Sequence, residues 1–106
     1  MPSPVAHGRL AFVVNDEGMG SCTDPRTGRE FWLQRLGRHH SASPVIAGGH
    51  VYFFDDEGKC WIVKARENYE LLGVNELGDD IRGSPAISRG QIFIRGARQL
   101  FCIGKR

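Results

Sequence analysis

Nothing in the sequence is apolar for longer than a strand. The longest runs, such as Val51–Phe54, are far too short to cross a membrane as a helix. No stretch keeps a helical period long enough to matter. There is no basic run, and a net charge of +2 is too mild to imply nucleic acid as a partner. Cysteine is scarce. Cys22, Cys60 and Cys102 make an odd count, with no two adjacent and no C-x-x-C spacing, which argues against a structural zinc site or a complete disulfide framework. A charged-then-apolar leader is also missing before the first repeat. The expectation is a cytoplasmic chain as it stands, or a periplasmic or secreted one if it belongs to a larger protein.

What the sequence does have is repetition. Ser3-Pro4-Val5 to Asp16-Glu17-Gly18 recurs as Ser43-Pro44-Val45 to Asp56-Glu57-Gly58, without a gap and with 7 of 16 residues identical. Chance would give about one match at ordinary residue usage. A degraded third copy begins at Ser84-Pro85-Ala86-Ile87. With 106 residues, 41% hydrophobic and 25% charged, the chain suits one ordinary core.

Each repeat reads as short strands separated by Gly turns. In the first, strands fall at Pro4–His7, Leu10–Asn15, about Gly20–Asp24, and Glu30–Leu36. Asp24-Pro25-Arg26-Thr27-Gly28 is a tight reversal, with Pro fixing φ and Gly supplying φ > 0. The second repeat places strands near Val45–Ala47, His50–Asp55, Lys59–Lys64 and Tyr69–Asn75. Its return, Leu77-Gly78, lies 41 residues after Leu36-Gly37, where earlier positions differ by 40. One extra residue near Gly73, as a bulge, accounts for the offset. The third repeat offers Ala86–Ser88, Gln91–Arg95 and Gln99–Ile103 and then stops, its fourth strand missing. The expected fold is therefore all-β: propeller blades of four antiparallel strands, two complete and a third of three strands. The blades span about 3–42, 43–83 and 84–106. A blade buried on both faces explains why Val51-Tyr52-Phe53-Phe54 does not alternate.

Cys22-x-Asp24-x-x-Thr27-Gly28-x-x-x-Trp32 resembles the repeat signature of the pyrroloquinoline-quinone-like (PQQ-like) propellers, A-x-D-x-x-T-G-x-x-x-W. The resemblance covers essentially the whole chain. It implies that Trp32 docks onto the next blade and that Asp24, Thr27 and Gly28 shape its hairpin, with Cys22 in the signature's small apolar position. In the second repeat Lys64-Ala65-Arg66-Glu67-Asn68 replaces the turn and Leu72 stands where Trp32 did, so docking there should be looser. The family includes quinoprotein dehydrogenases, an outer-membrane assembly lipoprotein, and many sensors and scaffolds, so the likeness says more about fold than activity.

Quinone chemistry in this family needs a ring of about eight blades, a calcium ion, a catalytic Asp and usually vicinal cysteines. This sequence supplies neither the blades nor the cysteine pair, so no cofactor and no enzyme activity are expected. The acidic turns at Asp16-Glu17-Gly18 and Asp55-Asp56-Glu57-Gly58 are too short for a calcium cage and read as hairpin turns. His39-His40 cannot easily share one metal, because neighbours in extended chain point to opposite faces. The links between blades carry Arg38-His39-His40 and Asp79-Asp80, and these five form a possible charged rim for a ligand or partner. Cys22 and Cys102 occupy equivalent third-strand positions and are expected as small core residues between blades. Three blades leave two apolar faces and the edge strand Gln99–Ile103 uncovered. Only Met1-Pro2 precedes the first repeat, so the N-terminus is not expected to fill the gap. The expected partner is another copy of the chain, completing a ring that serves as a scaffold or protein-binding surface. The alternative is a C-terminal piece of a larger quinoprotein-type dehydrogenase or sensor, with the ring completed by missing blades.

Overall fold

The Gly-bounded runs of β-branched and aromatic residues become eleven strands in three antiparallel sheets. The structure, a computed structural model, describes residues 3–81 and 85–104. Ser84, which opens the third repeat, lies outside the described residues. Blade 1 runs in order through β1 (Val5–His7), β2 (Leu10–Val14), β3 (Met19–Thr23) and β4 (Glu30–Arg35). Blade 2 repeats the order in β5 (Val45–Ala47), β6 (His50–Phe54), β7 (Lys59–Lys64) and β8 (Leu71–Glu76). Blade 3 has β9 (Ala86–Ser88), β10 (Gln91–Arg95) and β11 (Leu100–Gly104). The inner strands β1, β5 and β9 lie beside one another, as they do around a propeller axis. The three blades form an open segment of a ring.

The register corrects the expected site of the extra residue. In blade 1, Cys22 faces Trp32 and Thr23 faces Glu30, so Phe31 is bulged out. In blade 2, Ile62 faces Gly73 and Val63 faces Leu71, so Leu72 is bulged at the same place. The bulge is common to both blades. The extra residue sits in the β7–β8 hairpin, which is closed by Lys64 N–H donating to the Glu70 carbonyl at 3.0 Å. That longer loop absorbs Tyr69, which is why β8 starts at Leu71. It also puts Gly73, not Leu72, in the position of Trp32.

The β10–β11 hairpin departs from the repeat in the opposite sense. Phe12, Tyr52 and Phe93 are equivalent, each facing an equivalent third-strand residue: Cys22, Ile62 and Cys102. The β10–β11 turn is one residue shorter than the turns before it. In the longer turns, Asn15 Oδ1 accepts the Glu17 and Met19 amides, and Asp55 Oδ1 accepts those of Glu57 and Lys59. Gly58 lies at φ 94° with the link to the next blade pressed against it, and a Cβ there would run into the Asp79 carbonyl.

Two cores join the blades, and strand parity decides which residues enter each. Phe12, Val14, Cys22 and Trp32 on the forward face of blade 1 pack against Val51, Phe53 and Val63 on the rear of blade 2. Phe54 and Cys60 on the forward face of blade 2 pack against Ile92 and Ile94 of blade 3. The unbroken apolar run of β6 thus serves two junctions at once. Phe12, Phe53 and Phe54 are fully buried, each contributing about 1.5–3 kcal/mol by the usual transfer scale.

Candidate docking site at the blade junctions

β4 begins with the bulge that turns Trp32 forward, and the side chain reaches the next blade. Its indole N–H donates to the Arg66 carbonyl at 3.2 Å, and its ring meets Tyr69 edge-on at 5.1 Å. Cys22, one strand inward, points its thiol at the same carbonyl at 3.6 Å. Burial, then the nearby Glu67 carboxylate, pushes that thiol up to about 11. The hairpin behind Trp32 is held by its own residues. Asp24 accepts the Arg26 amide at 2.9 Å, Thr27 Oγ1 accepts the Arg29 amide at 3.2 Å, and Gly28 takes φ 79°. The Arg26 amide is the main reason the Asp24 carboxyl sits below its ordinary range. Cys22 and Trp32 thus meet at the junction, while Asp24, Thr27 and Gly28 stay behind in the turn.

At the second junction no indole is present. Gly73 occupies the equivalent place, with open space where a side chain would project. The fastening is at the link instead. Asp79 is buried, and its Oδ2 accepts the Arg98 and Gln99 amides at 2.7 and 3.2 Å. Its Oδ1 accepts the Asp80 amide, and the Arg98 guanidinium donates back to the Gly78 carbonyl at 3.0 Å. The Arg98 amide is the leading cause of a lowered Asp79 carboxyl. Gly96 stands where Asn15 and Asp55 stand in the other blades, so Asp79 supplies from outside the acceptor that this turn lacks.

The link residues therefore divide. Arg38, His39 and Asp80 are exposed, whereas His40 and Asp79 are buried. His40 rests its Nε2 against the Leu36 carbonyl and leaves Nδ1 without a partner. The first link is gripped by Asp56, whose carboxylate accepts the Ser41 amide and hydroxyl at 2.9 and 3.0 Å. Cys102 is exposed, contrary to the core position expected for it, because no blade covers the forward face of blade 3 among the described residues. Cys60 is buried, and burial followed by the Asp55 charge pushes its thiol up to about 12. The sequence placed Asp55 and Asp56 in a hairpin turn but showed neither the grip of Asp56 on Ser41 nor the capping role of Asp79. A glycine at the position held by Asn15 and Asp55 was the available signal.

A repeated four-stranded blade with this hairpin and indole contact is matched by a family profile described as outer membrane protein assembly factor BamB, over residues 1–71. The chain belongs to the PQQ-like β-propeller repeat family. It is 31% identical to the outer membrane protein assembly factor BamB of Alkalilimnicola ehrlichii over 90 residues, 83% of this chain and 23% of the relative. Its fold matches the crystal structure of BamB from Moraxella catarrhalis with a TM-score of 0.81 at 12% identity, covering 94% of this chain and 30% of that one. The chain thus spans about a quarter to a third of the length of these PQQ-like relatives. No helix among the described residues is long and apolar enough to cross a membrane.

Proposed function

We propose that the chain is a non-enzymatic propeller module that binds protein, its ring completed by further copies of itself. One observation carries this reading: its two open faces are of opposite kind. The rear faces of blades 2 and 3 present Val51, Phe53, Trp61 and Val63, and Ile92, Ile94, Phe101 and Ile103. At the same register blade 1 presents the smaller Ala11, Val13, Ser21 and Thr23. At one forward position the side chain grows in the other sense, from Gly20 through Cys60 to Leu100, and Leu100 is 66% exposed. A large forward face meeting a small rear face keeps the packing density that interiors need. Head-to-tail association of this kind closes into a ring when the rotation permits, most simply two copies making six blades. The names of the relatives, which place them in outer-membrane protein assembly, support a binding role. Among the described residues no group of His, Cys, Asp or Glu is arranged to hold a metal.

The test is the solution mass of the purified chain by light scattering or native mass spectrometry. A discrete dimer or trimer is expected, and a monomer at micromolar concentration would overturn self-completion. The share of the relatives' length supports a second reading, in which the blades belong to a larger quinoprotein-type dehydrogenase or sensor. Five or more upstream repeats bearing cofactor ligands in the neighbouring coding sequence would select it.

A further inference from the structure

We infer that the end of the blades carrying the β1–β2, β5–β6 and β9–β10 turns is a docking surface for an acidic segment of a partner polypeptide, centred on a recess beside Arg66. The inference deepens the protein-binding reading above and rests on it. Antiparallel order sends successive turns to opposite ends of a blade, so these three inner turns share one end with the β3–β4 and β7–β8 hairpins. Charge is sorted between the two ends. The inner turns and the residues flanking them carry His7, Arg9, His50 and Arg89 and no Asp or Glu. At the other end the β2–β3 and β6–β7 turns alone hold Asp16, Glu17, Asp55, Asp56 and Glu57. Asp24, Glu30, Glu67 and Glu70 reach the first end only on the outer hairpins, where Asp24 and Glu70 already pair with Arg26 and Lys64. Arg9, Arg66 and Arg89 are exposed and make no ion pair among the described residues.

Arg89 holds a conformation that glycine normally takes. It stands at φ 52°, where the first two blades put Gly8 and Gly48 at 61° and 58°. A bulky residue kept in this left-handed region points to a use for its side chain. Arg66 is placed by its backbone. Its carbonyl accepts the Trp32 indole N–H at 3.2 Å, and the Ala65 amide beside it donates to the Gly49 carbonyl at 3.0 Å. The hairpin is thereby tied to the preceding blade and to the β5–β6 turn, with the Arg66 side chain lining a recess of about 340 Å³. His7 of blade 1, Gly48 and Gly49, and the cross-strand neighbours His50 and Lys64 complete its wall. A guanidinium suits a carboxylate, which it can meet with two parallel hydrogen bonds. A net charge of +2 without a basic run is too little for a nucleic acid.

The probe is a labelled synthetic peptide of Asp, Glu, Ser and Gly, titrated into the whole protein and followed by fluorescence anisotropy. A control peptide carries Asn and Gln in place of Asp and Glu. The acidic peptide should bind about tenfold more tightly than the control, and its binding should weaken as salt is raised. Arg66→Gln and Arg89→Gly should each weaken it about fivefold. Arg89→Gly should do so without lowering the melting temperature, because glycine suits that turn. A residue kept only for the fold would show the reverse. Lys59→Gln removes the same charge at the far end of β7 and should leave binding unchanged. Equal binding of the two peptides, or equal losses for Arg66→Gln and Lys59→Gln, would overturn the assignment. So would vesicles of phosphatidylcholine and phosphatidylserine that bind the chain and that the acidic peptide does not displace, since a lipid surface would then hold this end. The mass of the chain without peptide reports self-completion separately, so either reading can fail alone.

Discussion

The two blade junctions share a period and a packing scheme but are fastened in different places. Between blades 1 and 2 the fastener is an aromatic at the outer strand, Trp32, seated on Tyr69 and the Arg66 carbonyl. Between blades 2 and 3 the outer position is Gly73, and a carboxylate from the link, Asp79, caps the next blade's turn. The indole contact is mainly dispersion and buried area and carries no charge of its own, beside the grip of the Asp56 carboxylate on Ser41 in the same link. The second fastening is charge-assisted hydrogen bonding, which depends on one ionisation. A repeat protein can therefore keep its blade geometry while exchanging the chemistry that locks neighbours together.

The sharpest way to break this contrast is Trp32→Ala. It empties a site that is 6% exposed in the first core and should cost about 3–5 kcal/mol. Urea unfolding followed through Trp61 fluorescence would measure it, and a loss below about 1 kcal/mol would deny Trp32 its fastening role. Asp79→Asn should have a smaller effect, confined to the second junction and dependent on pH. The folded-state carboxyl lies below its ordinary value of 3.8. Its contribution is therefore complete above that value, fades as pH falls through the folded-state value, and is absent below it. The native chain and the variant should differ at pH 7 and converge in acid, read by hydrogen exchange of the β10–β11 amides. Parallel pH curves would show that ionisation is not what matters. The smallest effect is expected for Lys64→Ala. Its ion pair with Glu70 at 3.4 Å is partly exposed, and thermal melts should register a cost under about 1 kcal/mol.

The strand pattern was legible because a forty-residue period, Gly turns and β-branched runs all point to the same blade. Even the failure of β6 to alternate was readable, since both faces of that strand are buried. The position of the inserted residue was not. An offset counts residues without saying whether a hairpin or a strand takes them up, and only the pairing of Ile62 with Gly73 decides it. His40 read as a rim residue because the histidine pair draws attention to its chemistry. Its counterpart one repeat later is Ile81, also buried, so the repeat itself marked the place as interior. Cys102 is equivalent to Cys22 in sequence but not in environment, because burial there depends on a neighbouring blade that its own position cannot reveal. Asp79 read as a rim residue, and its capping role was hidden because it serves a turn 19 and 20 residues away.

The Asp79–Gly96 pair has a consequence for how such a chain can change over generations. A Cβ on Gly96 would stand 2.5 Å from Asp79 Oδ2, so a self-capping Asn or Asp cannot arise there while the carboxylate is in place. Losing Asp79 first leaves the Arg98 and Gln99 amides without their acceptor. Neither route is open by a single step at no cost. The two positions therefore drift together or not at all, and this junction remains committed to its borrowed cap.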